Sequence, residues 1–166
     1  MDVYDCVRSR LTVRKFNPNP VPETAVNKIL EAARWAPSSR NLQPWHFIVI
    51  RDPETLTRIG GLASTGSFVA RAPLAIAIVM VDADSPELDA GRALQQMELV
   101  AWSEGLGTCF VSLQNAEETH KVKELLGIPA DAELITVMPF GYRTEEIEAR
   151  GKRRKPLSAM VHKERF

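Results

Sequence analysis

Histidine and cysteine are scarce, at three and two residues in a chain of 166. Two cysteines cannot make a disulfide framework, and neither Cys6 nor Cys109 stands at metal-ligand spacing from a histidine. One falls in a predicted first helix and the other in a predicted buried strand, so both are expected to be buried free thiols. Net charge is lacking too, since Lys plus Arg and Asp plus Glu each total 21. Without a global field nothing gathers nucleic acid or an anionic membrane, and neither is expected as a partner. Long apolar runs are missing: the longest, Pro73 to Val81, is strand length, far short of the ~20 residues of a membrane span. The start, MDVYDCVRSR, carries acids and an arginine where a secretory signal needs an apolar core, so a cytoplasmic protein is expected. Glycine-rich phosphate loops are also absent, because Gly60, Gly61 and Gly66 fit neither a dinucleotide fingerprint nor a P-loop.

What is present is one domain's worth of chain, able to bury roughly two thirds of its unfolded surface. Apolar spacing predicts helices over Tyr4 to Leu11, Glu23 to Ala36, Pro53 to Leu62, Leu88 to Glu104 and Ala116 to Leu126. Continuous β-branched runs predict buried strands over Trp45 to Ile50, Leu74 to Val81, Thr108 to Leu113 and Leu134 to Phe140. Leu74 to Val81 has no polar alternation and belongs in mid-sheet. The order predicts an α+β fold, a central mixed sheet flanked by helices, in a single domain over 1–166 with a polar C-terminal arm from about 143.

Three polar constellations stand out. Arg10, Thr12 and Arg14 project to one side of an extended segment, where guanidinium forks and a hydroxyl suit a phosphate. A solvated basic turn is the plainer alternative. The stretch APSSRNLQPWHFIVI from Ala36 to Ile50 crowds Ser38, Ser39, Arg40, Asn41 and Gln43 between a helix end and a strand, a place where a rigid frame presents a loop to a ligand. It too has a plain alternative, an ordinary connection whose polar groups bond their own backbone. The tail carries Lys152, Arg153, Arg154 and Lys155 before Pro156-Leu157, which by itself reads as a basic terminus.

These segments resemble the nitroreductase family of flavoproteins. The loop matches A-P-S, two variable residues, N, one variable, then Q-P-W; Arg10 to Phe16 is similar to the family's R-R-S-V-R-K-F, with Leu11 and Thr12 in place of its second arginine and serine. Gly105 to Cys109, Leu125 to Pro129, Pro139 to Tyr142 and Arg154 to Leu157 resemble further family motifs, so the likeness spans roughly residues 8 to 162.

The resemblance implies FMN as cofactor, NADH or NADPH as reductant, a small-molecule acceptor, and a homodimer with each flavin site built from both subunits. It implies that Arg10, Thr12, Lys152 and Arg154 hold the phosphate end, with a backbone role for Leu11, and that Arg14 lies near the pyrimidine edge. Pro37, Ser38 and Asn41 would contact the flavin from the loop, and Phe110, Val111 and Ser112 would lie near N5. No side-chain nucleophile is required, so His46, His120 and His162 need not be catalytic, and His46 and His120 are read as structural or solvated. The implied activity is a ping-pong transfer to nitroaromatics, quinones or similar acceptors. A dehalogenase-like or flavin-degrading relative, and a non-enzymatic anion-binding protein, remain alternatives.

Overall fold

The computed structural model describes residues 1–144 and 152–166, so the start of the expected C-terminal arm, Gly151 included, lies partly outside the described residues. Helix α1, Val3–Ser9, starts where the Asp2 carboxylate accepts the Asp5 N–H. Helix α2, Glu23–Arg34, buries Ala25, Val26, Ile29 and Ala33 on one stripe, and carries an acid in its first turn and a base in its last, as the helix dipole favours. Strand β1, Trp45–Ile50, leads through an Asp52 cap into helix α3, Pro53–Leu62. Strand β2, Leu74–Met80, is followed by the long helix α4, Pro86–Ser103, with Pro86 in its first turn. Strand β3 is short, Leu106–Thr108; helix α5, Ala116–Leu126, is capped by Asn115; and strand β4 runs Glu133–Tyr142.

The sheet order is β1-β2-β4-β3 and every neighbouring pair is antiparallel. Among the described residues an isolated parallel bridge between Thr12 and Thr108 lies beside the β3 edge, outside the named strands. The α+β class with flanking helices is therefore as the sequence predicts. All seven residues of β2 are buried, and its pleat sends alternate side chains into two different cores. Leu74, Ile76, Ile78 and Met80 pack with α2 and α4, while Ala75, Ala77 and Val79 pack with residues of α3 and α5.

Two glycines explain the G-L-G-T-C motif. Gly105 takes φ +81 as the chain leaves α4, a conformation costly for a residue with a Cβ. At Gly107 an added Cβ would sit 2.4 Å from Val13 Cγ2, so only glycine lets residues 10–16 lie against β3. That approach is held by the Val13 N–H donating to the Thr108 carbonyl at 2.9 Å.

Two expectations require correction. The predicted strand over Thr108 to Leu113 ends at Thr108; Phe110 is 47% exposed, and beyond β3 the backbone of Val111 pairs with a side chain instead of a ladder. The Val111 N–H donates to Thr136 Oγ1 at 3.2 Å, and the same hydroxyl donates back to the Val111 carbonyl at 2.8 Å. In α1 the spacing of Val3, Cys6 and Val7 predicts one covered side, but only Cys6 is buried, and Val3 and Val7 face outward. Both thiols are buried and unpaired.

Thr136 is fully buried and satisfies two backbone groups at once. Thr136→Val keeps the shape but leaves both unsatisfied, and is expected to cost about 1 to 3 kcal/mol in urea unfolding with an unchanged m value. A loss below about 0.5 kcal/mol would show that the pairing contributes little.

Candidate functional site

The loop between α2 and β1 begins with Ser38 in extended conformation and passes through a single turn, Ser39–Asn41. Arg40, Asn41 and Gln43 all take positive φ, at 50°, 58° and 53°. Asparagine tolerates this region, but arginine and glutamine do so at a cost of roughly 1 to 3 kcal/mol each. Such a path persists only if its surroundings dictate it. The Gln43 N–H donates to Ser38 Oγ at 2.9 Å, and the Arg40 fork donates to the Asp84 carboxylate at 2.5 and 2.6 Å. From beneath, the Asp89 carboxylate of α4 accepts the Ser39 N–H and hydroxyl. Pro37 and Asn41 are exposed and Ser38 is half-buried, so the loop offers its polar groups outward.

A second set of candidates gathers at the chain ends. Arg10, Lys152 and Arg154 line a cleft of about 690 Å³ together with Val7, Arg8, Gln95 and Leu99. The C-terminal segment is tied in by Lys152 Nζ donating to the Val7 carbonyl at 3.0 Å, across 145 residues of sequence. Among the described residues, the carboxylate that answers these cations is Glu98 of α4, which lies 3.4 Å from Arg10. Burial pushes the Glu98 carboxyl up from its ordinary value of 4.5, against the pull of Arg10 and Lys152. The long ion pair therefore does not offset the loss of water around Glu98. Lys152 is pushed down, first by burial and then by the like charges of Arg10 and Arg154. Crowded cations of this kind are relieved by an anion, and a phosphate dianion fits the donor set.

Arg14 does not join that cleft. It lines a separate one of about 890 Å³ with Phe16, Asn17, Arg71 and Thr144 among others, and its guanidinium lies 5.7 Å from the centre of the Phe68 ring. Leu11 is half-buried against Val13 and Trp102, and Thr12 is exposed beside its bridge to Thr108. Phe110, Val111 and Ser112 follow β3: Phe110 and Ser112 are exposed, Val111 is buried, and the Ser112 carbonyl accepts the Thr65 hydroxyl at 2.8 Å. Cys109, next to them, has its thiol raised by burial, opposed by Arg14. His46 and His120 are exposed, the latter paired with Glu124.

The candidate residues thus fall into groups that line separate clefts and lie beside different cores. Ala36 at the start of the loop packs into the α2/α4 core, whereas Cys109 and Val111 pack into the core on the other side of the sheet. Asp84, Asp89 and Glu98 were missed in the sequence. Acids near or within an amphipathic helix read as solvent-facing, and nothing local marks Asp89 as fully buried.

An antiparallel sheet with helices on both faces, and chain ends meeting in a cationic cleft, define a small α+β protein with a site suited to an anion. It belongs to the nitroreductase family, whose sequence model matches residues 7–82 and 64–142. A Methanothermobacter thermautotrophicus protein, provisionally named an NADH dehydrogenase/NAD(P)H nitroreductase, is 35% identical over 152 residues, covering 87% of this chain and 79% of that one. An iodotyrosine deiodinase of Nematostella vectensis is 23% identical, covering 96% of this chain and 74% of its own length. Among solved structures, an FMN-dependent nitroreductase from Clostridium difficile superposes with a TM-score of 0.83 at 29% identity, over 99% of this chain and 100% of the other. Among the described residues no helix is long and apolar enough to cross a membrane.

Glu98 gives a pH signature. An acid whose folded pKa is raised binds more protons folded than unfolded, so its burial is tolerated at low pH and costs stability as pH rises through the shifted range. Glu98→Gln is therefore expected to gain stability relative to the parent as pH moves from about 4.5 to 7. Urea midpoints at the two pH values check this, and a difference that stays constant or reverses would contradict the raised pKa.

Proposed function

We propose that this protein is an FMN-dependent NAD(P)H oxidoreductase, acting on nitroaromatics, quinones or similar small acceptors. The observation that carries the reading is the cleft that unites Arg10, Lys152 and Arg154 from opposite ends of the chain, where burial and then the like charges of the two arginines depress the Lys152 amine. Bound there, FMN would supply the redox chemistry through N5 of its ring. The chain's own groups need only hold and orient it. Arg10, Thr12, Lys152 and Arg154 would bind the phosphate end, with Leu11 contributing its backbone, and Arg14 would place positive charge near the pyrimidine edge. Asn41, able to donate and accept, suits the mixed edge of that ring, with Pro37 and Ser38 beside it. Phe110, Val111 and Ser112 would lie along the N5 side. Reductant and acceptor would take turns at one open face, a ping-pong scheme.

The same reading calls for two subunits. Loop and 110–112 segment are associated with opposite faces of the sheet, so a ligand touching both would take them from different copies. Exposed Val3, Tyr4 and Val7 on α1, and Leu157, Val161 and Phe166 in the C-terminal segment, give apolar surface for a homodimer to cover. The kinship with an iodotyrosine deiodinase favours a second reading, a dehalogenating flavoenzyme on the same frame.

With FMN added, the protein is expected to be yellow, to bleach anaerobically with NADH or NADPH, and to recover its colour with a nitroaromatic or quinone. Bound FMN that stays oxidised over many minutes with either nucleotide would end the general assignment, and halide release from a halogenated phenol would then support the second reading. Protein that takes up no FMN would point to an anion-binding role. For Arg154→Ala, loss of a charge-assisted phosphate bond of about 1.5 to 3 kcal/mol should weaken FMN by roughly one to two decades. Riboflavin, which lacks the phosphate, should change far less. Equal losses for the two would show that Arg154 does not touch phosphate.

A further inference from the structure

Asp89 is the most deeply buried carboxylate among the described residues, at 0% exposure, and it lies on the α4 turn facing the loop. Its bonds are directed at one residue of that loop. The Ser39 N–H donates to Oδ1 at 3.0 Å and to Oδ2 at 3.1 Å, and the Ser39 hydroxyl donates to Oδ1 at 3.2 Å; Arg92 Nη1 completes the shell at 3.2 Å. Ser39 opens the turn whose next residues carry positive φ, so fixing Ser39 fixes where that path begins. The turn then closes by the Asn41 N–H donating to the Ser38 carbonyl at 3.0 Å and the Leu42 N–H to the Ser39 carbonyl at 3.1 Å.

We propose that Asp89 is a positioning residue, which holds the loop in its left-handed path and so sets where the Asn41 amide meets the flavin of the proposed site. The proposal rests on the functional reading above for its second half only. Burying a carboxylate is unfavourable unless its oxygens are satisfied, and here three of the four bonds come from Ser39 and one from a half-exposed arginine. An uncharged side chain would be the easier choice for stability alone. A carboxylate, with acceptors on both oxygens, is what grips an N–H and a hydroxyl of the same residue together. The exposed Arg40–Asp84 pair backs the loop from outside, but exposed pairs contribute little. Asp89 is thus the anchor. A loop whose Asn41 wanders by an ångström loses much of the benefit of prior alignment, and it does so without touching the phosphate cleft, which lies six to ten residues further along α4 at Gln95 and Leu99, about 9 to 15 Å away by helical rise.

The test compares the full-length protein with Asp89→Asn and Ser39→Pro. Asparagine keeps the shape but offers one acceptor oxygen; proline removes both Ser39 donors, and Ser38, extended at φ −129 and ψ 159, is already in the conformation that precedes proline. Amide exchange at Asn41 and Leu42, read without flavin, should rise roughly tenfold or more in either variant. With FMN bound, reduction by saturating NADH or NADPH should slow about tenfold, while FMN affinity changes less than about threefold. Should Asp89→Asn fail to fold, Ser39→Pro decides. Unchanged exchange in a folded variant overturns the anchoring, and faster exchange with an unchanged reduction rate overturns the positioning role. A parent protein that binds no FMN would instead defeat the functional reading, and exchange would still report whether Asp89 holds the loop.

Discussion

Burial of β2 on both faces is the constraint from which the rest of the arrangement follows. Seven consecutive residues without access to water need partners above and below the sheet, and the pleat assigns them alternately to two cores. One core is roofed by α2 and α4, the other by α3 and α5. The loop after α2 therefore opens beside the first, and the chain after β3, pinned by Val111 to Thr136, lies beside the second. Two surfaces proposed as parts of a flavin shell are thus associated with opposite faces of the sheet that supports them.

Helix α4 links the loop to the cationic cleft. Asp89 and Glu98 are nine residues apart, about two and a half turns, and so emerge on opposite sides of the helix. Asp89 grips the loop backbone; Glu98 stands beside Arg10 and limits the mutual repulsion of the cations in the cleft. In a chain with no net charge, local burial rather than overall field decides what each ionic group can do.

Much of the frame was legible in the sequence. Among the described residues, periodicity located helices α1 to α5 and the positions of β1, β2 and β4, because strands buried on both faces and helices with one apolar stripe leave different spacings. The run from Thr108 to Leu113 misled for a physical reason: it is apolar because Cys109 and Val111 are buried, but its hydrogen bonds go to the Thr136 hydroxyl and not to a neighbouring strand. Arg10 and Arg154 were legible as phosphate candidates, yet that Arg10 and Arg14 line separate clefts could not be read from alternation alone. Asp89, Glu98 and Thr136 carry no local signal. Each takes its role from a residue far along the chain, 25 positions away for Thr136 and 50 for Asp89, and only the folded sheet brings them into contact.

The central claim is that a flavin site here is completed by a second copy of the chain. Sedimentation velocity of the FMN-loaded protein at micromolar concentration, followed by flavin absorbance, tests it directly. The account predicts that the flavin sediments with a dimer and that no flavin travels with the monomer. A folded monomer carrying its full complement of FMN would contradict it.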